Sequence, residues 1–318
     1  MNLPDTSSPT PSAVSRGETA VKNLIHIVAK ANQVHAKKLE RFLMPLGADY
    51  FAFAGAFIDR VSAHLVEQGR TLDFAVECYL KMIADVTSEH VRFLRTGRYT
   101  STSFDEVNKR VYGNPEVMSY YMHGLLLSQV LWAHHYKMML FFEAGLARRS
   151  GAVKSYMEVG GGHGLFLAEA MRLIPKGESF TMVDISPASL QMAQEFVPAD
   201  GRLTFTLADV FSHEVESKVD FITMGEVMEH VEDPVKLLAR LRHFLKDTGR
   251  VFITTPTDSP AIDHIFHFKS ADHIRQIIDE AGFAVDEELG LWAEDMPPEL
   301  LAKYKVTLLY GAFLKSKA

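Results

Sequence analysis

The 318-residue sequence predicts a doubly wound, mostly parallel α/β sheet preceded by an all-α unit. Three observations lead there. After residue 150, short β-branched and apolar runs ("SYMEVG", "SFTMVDI", "RLTFTLADV", "VDFITMGEV", "GRVFITTP") alternate with helical segments such as "GLFLAEAMRLI" and "DPVKLLARLRHFL", and strand–helix–strand repetition builds a parallel sheet with helices on both faces. Before residue 150 the apolar residues recur at three to four positions, in stretches longer than strands run. Charge divides at the same place, with 17 Lys and Arg against 14 Asp and Glu in residues 1–150 and 16 against 26 in residues 151–318.

Taken in order, residues 1–17 are rich in Ser, Thr and Pro and nearly free of large apolar side chains, so a disordered tail is expected. Residues 18–149 are expected to form a helical unit of four to six helices. Its breaks fall at Gly47, at Gly69 ahead of Thr71 and Leu72, at Gly97, and at Asn114 with Pro115 opening the next segment. Residues 150–318 form the α/β unit.

Composition removes several function classes. The net charge of −7 offers no positive field to a phosphate backbone or an anionic bilayer, so neither nucleic acid nor a membrane surface is an expected partner. The single Cys78 excludes an intrachain disulfide and a multi-cysteine metal site, and fits a reducing compartment. The first 18 residues carry no apolar segment of signal-peptide length, and no run of 18 uncharged apolar residues follows. A cytoplasmic protein is the expectation, with the helical unit open to homodimer formation.

The strongest local signal is "SYMEVGGGHGLFLAEAMRLI", a strand, a glycine turn and an amphipathic helix. Glycines there let a ligand approach backbone amides. A dinucleotide fingerprint needs Gly or Ala three positions after its second glycine, and Leu165 or Leu167 stands there. A Walker loop needs a Lys that this turn lacks. What remains is an acid, Glu158, two residues before the alternating glycines Gly160, Gly162 and Gly164.

That pattern resembles motif I of the class I S-adenosylmethionine-dependent methyltransferases, and residues 150–318 follow the same family in order. A second strand ends at Asp184 in "TMVDIS", a third at Asp209 in "LADVF", and "GEVMEHVEDP" is similar to the family's segment after strand four. The resemblance implies a seven-stranded Rossmann-like methyltransferase fold and S-adenosylmethionine as cofactor. It implies that Glu158, Gly160, Gly162, Gly164 and Glu226 border the cofactor, that Asp184, flanked by Ile185, accepts hydrogen bonds from the ribose, and that Asp209, flanked by Val210, meets the adenine amine. Acidic surroundings also suit a sulfonium cation better than a pyrophosphate.

The acceptor is less legible. His230, just past strand four, stands where a general base would take a proton. His264 and His267 in "DHIFHF" belong to the same end of the sheet, and with His230 they form a set able to hold a metal, as in methyltransferases of 2-oxo acids; simple packing is the stronger reading for them. In "SYYMHGLLLSQVLWAHHYKMMLFF", Tyr121, His134 and Tyr136 are the expected pocket wall, although aromatic residues at helical spacing more often form core. Oxygen, nitrogen, sulfur and carbon acceptors all stay open, including a 2-oxo acid, an amino acid or a natural-product intermediate. So do other chemistry on the same cofactor and a non-catalytic regulatory role.

Overall fold

The computed structural model describes residues 9–317. It divides into a helical unit, residues up to Met82 together with His123–Tyr136, and an α/β unit, Ile83–Met122 together with Lys137–Ala318. The boundary expected near residue 150 is therefore corrected. Parts of three helices, together with the whole segment between the first two of them, group with the α/β unit rather than with the other helices.

The helical unit opens with α1 (Pro11–Ala31), α2 (Gln33–Leu43) and α3 (Gly47–Glu67). Residues 1–8 of the expected tail lie outside the described residues, but the expectation of disorder through residue 17 is overturned from Pro11 onward. The Thr10 side chain accepts from the Ala13 amide, Pro11 sits at the first helical position, and Gly17 is buried. A sequence poor in large side chains is what a close crossing needs: a Cβ on Gly17 would stand 1.8 Å from the Phe51 carbonyl oxygen, and one on Gly55 would stand 2.6 Å from the Gly17 Cα. Asn32, whose side chain accepts from the His35 amide, separates α1 from α2 without any Gly or Pro, so the helices outnumber the four to six expected. By length and composition alone Gln33–Glu67 is apolar enough to cross a membrane. A short turn at Met44–Leu46 divides it, and α3 buries Tyr50, Ala54, Ile58 and Val61 in the unit's core.

Next come α4 (Leu72–Thr96), the single turn α5 (Phe104–Val107) running into a π-helical turn at Asn108–Tyr112, α6 (Pro115–Leu131) and α7 (Ala133–Arg149). The division between units falls inside α4, α6 and α7. The carboxyl-terminal part of α7 lies on the sheet: a Cβ on Gly145 would fall 2.1 Å from the Phe313 ring, and Phe142 meets Phe166 and Phe252 with ring centroids 4.8 and 5.0 Å apart.

The sheet alternates with helices as β1 (Ser155–Val159), α8 (Leu165–Leu173), β2 (Ser179–Asp184), α9 (Pro187–Phe196), β3 (Leu203–Leu207), β4 (Val219–Gly225), α10 (Pro234–Phe244), β5 (Leu245–Thr257), α11 (Ala271–Glu280), β6 (Phe283–Trp292), α12 (Pro298–Lys303) and β7 (Leu308–Ser316). The strand order is β3-β2-β1-β4-β5-β7-β6, and only β7 runs against its neighbours. The apolar runs of β4 and β5 are buried on both faces, against Leu237, Leu238 and Leu241 of α10 on one side and the Phe142 cluster on the other. The order reverses between β1 and β4, and in open α/β sheets ligands bind beyond the carboxyl ends of the strands at that reversal.

The Gly17–Gly55 crossing yields a stability test. Gly17→Val is expected to cost about 1–3 kcal/mol through overpacking and to lower the thermal midpoint by several degrees. An unchanged melting curve would show that α1 and α3 do not approach this closely in solution.

Candidate active site

The turn after β1 needs its glycines. Gly160, Gly162 and Gly164 have φ of 65°, 56° and 73°, a left-handed backbone that side chains disfavour. Space is also absent, since a Cβ at Gly160 would lie 2.5 Å from a Val227 methyl and one at Gly164 would lie 2.6 Å from a Val197 methyl. The Gly160 amide donates to the Val183 carbonyl at 2.8 Å, tying the turn to β2.

At the end of β2, Asp184 is buried, and its two oxygens accept from the Gly162 amide at 3.3 Å and the Ser186 amide at 2.8 Å. Burial pushes its carboxyl up to about 6, against the pull of those amides. Ile185 beside it is exposed, an apolar face next to a polar acceptor. Glu158 at the end of β1 is 1% exposed, its Oε2 has no partner in the protein, and burial raises its carboxyl well above the ordinary range. Beyond β3, Asp209 is exposed and accepts from the Phe211 amide at 2.9 Å, while Val210 packs against the sheet's core.

A second cluster lies beyond β4 and β5. Glu226 takes a left-handed φ of 53°, uncommon for a residue with a side chain, and its amide donates to the Thr254 carbonyl at 2.9 Å. A short helical turn, Met228–His230, follows. The Glu229 carbonyl accepts from both the Ile265 and Phe266 amides, at 2.8 and 2.9 Å, which fixes the loop after β5 onto the turn after β4. The Glu229 side chain is 1% exposed; Oε2 accepts from the Thr255 hydroxyl at 2.8 Å, and Oε1 has no partner in the protein. Burial raises the carboxyls of Glu226 and Glu229; Glu229 adds to the shift of Glu226 and Asp263 adds to both, while His230 opposes them.

His230 Nδ1 lies 3.0 Å from the Asp263 carbonyl oxygen and 3.0 Å from the Tyr112 hydroxyl. A carbonyl only accepts, so Nδ1 carries a proton, and in the neutral ring Nε2 carries the lone pair. The Tyr112 hydroxyl then donates to Asp263 Oδ2 at 3.4 Å, and the Tyr121 hydroxyl donates to Oδ1 at 3.1 Å. Burial works against protonation of His230, but Asp263 and Glu229 outweigh it and hold its pKa above the ordinary value. His264 Nδ1 faces the Ser259 carbonyl at 2.5 Å, which fixes the same tautomer, and burial beside His230 lowers its pKa to about 4.

The structure thus brings His230, His264 and Tyr121 together. It turns His267 aside: Nε2 pairs with Asp258 at 2.7 Å and the ring packs on Phe93 and Tyr99. His134 and Tyr136 belong to the helical unit, where Tyr136 is buried against Tyr50 and Phe53 and His134 stacks on Trp132. His230 does not cap α10; Asp233 does, accepting from the Lys236 amide. Sequence reading missed Tyr112 and Asp263. The signals were a tyrosine at the Tyr-Gly-Asn break before α6 and an acid abutting His264, both ordinary until the fold joins them.

The comparisons agree with this geometry. A family model described as a methyltransferase domain matches residues 132–288. The ubiquinone biosynthesis O-methyltransferase of Pseudomonas paraeruginosa is 30% identical over 174 residues, covering 52% of this chain and 72% of that enzyme. The mitochondrial ubiquinone biosynthesis O-methyltransferase of Schizosaccharomyces pombe is 30% identical over 129 residues, 39% of this chain and 46% of that one. Among solved structures, an O-methyltransferase family protein from Burkholderia thailandensis shares the fold with a TM-score of 0.53 at 16% identity, over 78% of this chain and 73% of that one. The chain belongs to the S-adenosylmethionine-dependent methyltransferases. The residues present fit that cofactor: a glycine turn closed to a Cβ at Gly160, Gly161 and Gly164, a buried orphan oxygen on Glu158, and acids in place of the Lys or Arg a pyrophosphate would want.

Both ring assignments can be checked directly. Nitrogen-15 spectra of labelled protein are expected to show His264 as the Nδ1–H tautomer at neutral pH, and His230 as the same tautomer once the pH exceeds its raised pKa. Because the His264 pKa is lowered, it should stay neutral until the pH approaches about 4. An Nε2–H signal from either ring in its neutral form would overturn the hydrogen-bond scheme.

Proposed function

We propose that the protein methylates an oxygen of a small-molecule acceptor that must lose a proton, with His230 as the group that receives it. The observation that carries this reading is His230, just past β4, whose Nδ1 proton is held by the Asp263 carbonyl, so that Nε2 carries the lone pair in the neutral ring. The names of the related O-methyltransferases support oxygen as the acceptor atom.

In this reading Gly160, Gly162 and Gly164 let the cofactor approach the backbone, Asp184 accepts from its ribose hydroxyls, Ile185 covers the base, and Asp209 receives the adenine amine. Glu158 and Glu226 face its polar remainder. S-adenosylmethionine supplies an electrophilic methyl carbon on a cationic sulfur. The protein's share is to align the acceptor for in-line attack, exclude water and take its proton. Asp263 holds His230 in place and is itself held by Tyr112 and Tyr121, so these three are positioning residues, and the Tyr121 ring belongs to the acceptor wall.

Replacing Asp184 with Ala is expected to weaken cofactor affinity about tenfold or more, each lost charge-assisted bond contributing about 1.5–3 kcal/mol. In the native protein the sign with pH follows: as pH falls through about 6 Asp184 takes up a proton, the charged acceptor is lost, and affinity decreases. Calorimetric titration showing the same affinity in the variant, or none of this pH dependence, would remove Asp184 from the cofactor site. His230→Ala is expected to lower turnover by about a hundredfold or more at nearly unchanged cofactor affinity. A variant with full turnover would exclude His230 as base and favour an acceptor that needs none.

A further inference from the structure

We infer that His267 is a positioning residue for the acceptor end of the sheet: it clasps the base of the loop that carries Asp263 and His264 to His230. This rests on reading that end as the acceptor site. Between Thr257, the last residue of β5, and Ala271, the first of α11, the chain runs without strand or helix. The Asp258 amide donates to the Phe268 carbonyl at 3.0 Å and closes the loop at its base, while the Ile265 and Phe266 amides tie its middle to Glu229. Ser259, Asp263 and His264 all lie inside that closure. A long irregular segment needs such cross-links, because every residue held in one conformation costs backbone entropy.

The backbone at the base is under constraint. Asp258 has a φ of 43°, a left-handed conformation that a side chain disfavours, and Lys305, whose Nζ lies 3.7 Å from Asp258 Oδ1, has a φ of 47°. Such residues persist only where their surroundings hold them. His267 supplies the closest hold, since its Nε2 donates to the same Oδ1 at 2.7 Å. Without that N–H the Asp258 carboxylate keeps only the more distant Lys305 among the described residues. The His267 ring is itself fixed, edge-on to Phe93 and tilted against Tyr99, with centroids 5.1 and 5.0 Å away. Tyr99 completes the circuit, because its hydroxyl accepts from the Ser259 amide at 2.9 Å, and the Ser259 carbonyl is the group that fixes the His264 tautomer. One ring thus links the strained residue that opens the loop with the segment that carries Tyr112 and Tyr121 and, through Tyr99, with the residue that orients His264.

Full-length protein labelled with nitrogen-15 is compared as native, His267→Gln and His267→Ala, with S-adenosylmethionine binding measured in parallel as the check on folding. Gln keeps an N–H near the place of Nε2, and Ala removes both the donor and the ring. The native and His267→Gln proteins are expected to show one set of His264 ring signals, from the Nδ1–H tautomer, with protonation delayed until the pH approaches about 4. In His267→Ala that set is expected to broaden or split and its titration to move up by about one unit or more, as the loop loosens and water reaches His264, while cofactor affinity stays within about twofold of native. Unchanged His264 signals in His267→Ala would overturn the clasp, even with a lowered melting temperature. Equal disturbance in both variants would overturn it too, since ring packing rather than the bond would then hold the loop. If His267→Ala loses cofactor binding, the native protein decides: a slowly exchanging Nε2–H on His267 supports the clasp and a freely exchanging one overturns it. The readout needs no acceptor and no turnover, so its failure leaves the assignment of His230 as base untouched, and full turnover in His230→Ala leaves the clasp standing.

Discussion

Two hydrogen bonds to one carbonyl organise the candidate site beyond β4 and β5. The Glu229 backbone oxygen accepts from Ile265 and Phe266, and so joins the turn after β4 to the long loop after β5. That joint supports the direct bond between Asp263 and His230 and keeps His264 near Glu229. The Ile265 and Phe266 amides lie in a stretch with no strand or helix to satisfy them, so the carbonyl stabilises both segments at once. The remaining groups of the cluster, Tyr112 from the π-helical turn and Tyr121 from α6, then close on Asp263.

The second constraint is desolvation. Glu158, Asp184, Glu226, Glu229 and Asp263 gather near a sheet whose interior is apolar, and burial raises the first four carboxyls above their ordinary values. In isolation that arrangement costs stability, because carboxylates leave water with few compensating donors. It becomes favourable when a cation arrives, and the cofactor of this family is one. The glycine turn adds the complementary feature, backbone bare of side chains, since a Cβ at Gly160 would meet Val227 and one at Gly164 would meet Val197.

How the chain is partitioned follows from packing rather than from composition. The carboxyl-terminal part of α7 carries Gly145, which admits the Phe313 ring, and Phe142, which completes an aromatic cluster with Phe166 and Phe252. Arg149 then pairs with Asp286 and Glu287 of β6. These contacts join the end of the helical sequence to the sheet. The segment from Ile83 to Met122 is drawn the same way and brings Tyr99, Arg110, Tyr112 and Tyr121 with it.

The sequence by itself determined the alternation of strands and helices after residue 150, the glycine turn, and the acids at the ends of β1 and β2. Each of these is local: a period of two or of 3.6, a positive φ that only glycine takes easily, a carboxylate one residue from a strand's end. His230 was legible because it lies a short turn beyond a strand of this sheet. Only the tertiary structure decided which side chains meet it. Tyr112 and Asp263 stand 118 and 33 residues from His230 in the chain, and nothing in their neighbours marks them. His267, three residues from His264, looks equivalent in sequence and is turned away by a bond to Asp258. Likewise Tyr136 reads as a pocket residue and is core, because an aromatic ring at helical spacing takes its role from the surface it packs against, which is set by contacts remote in the sequence.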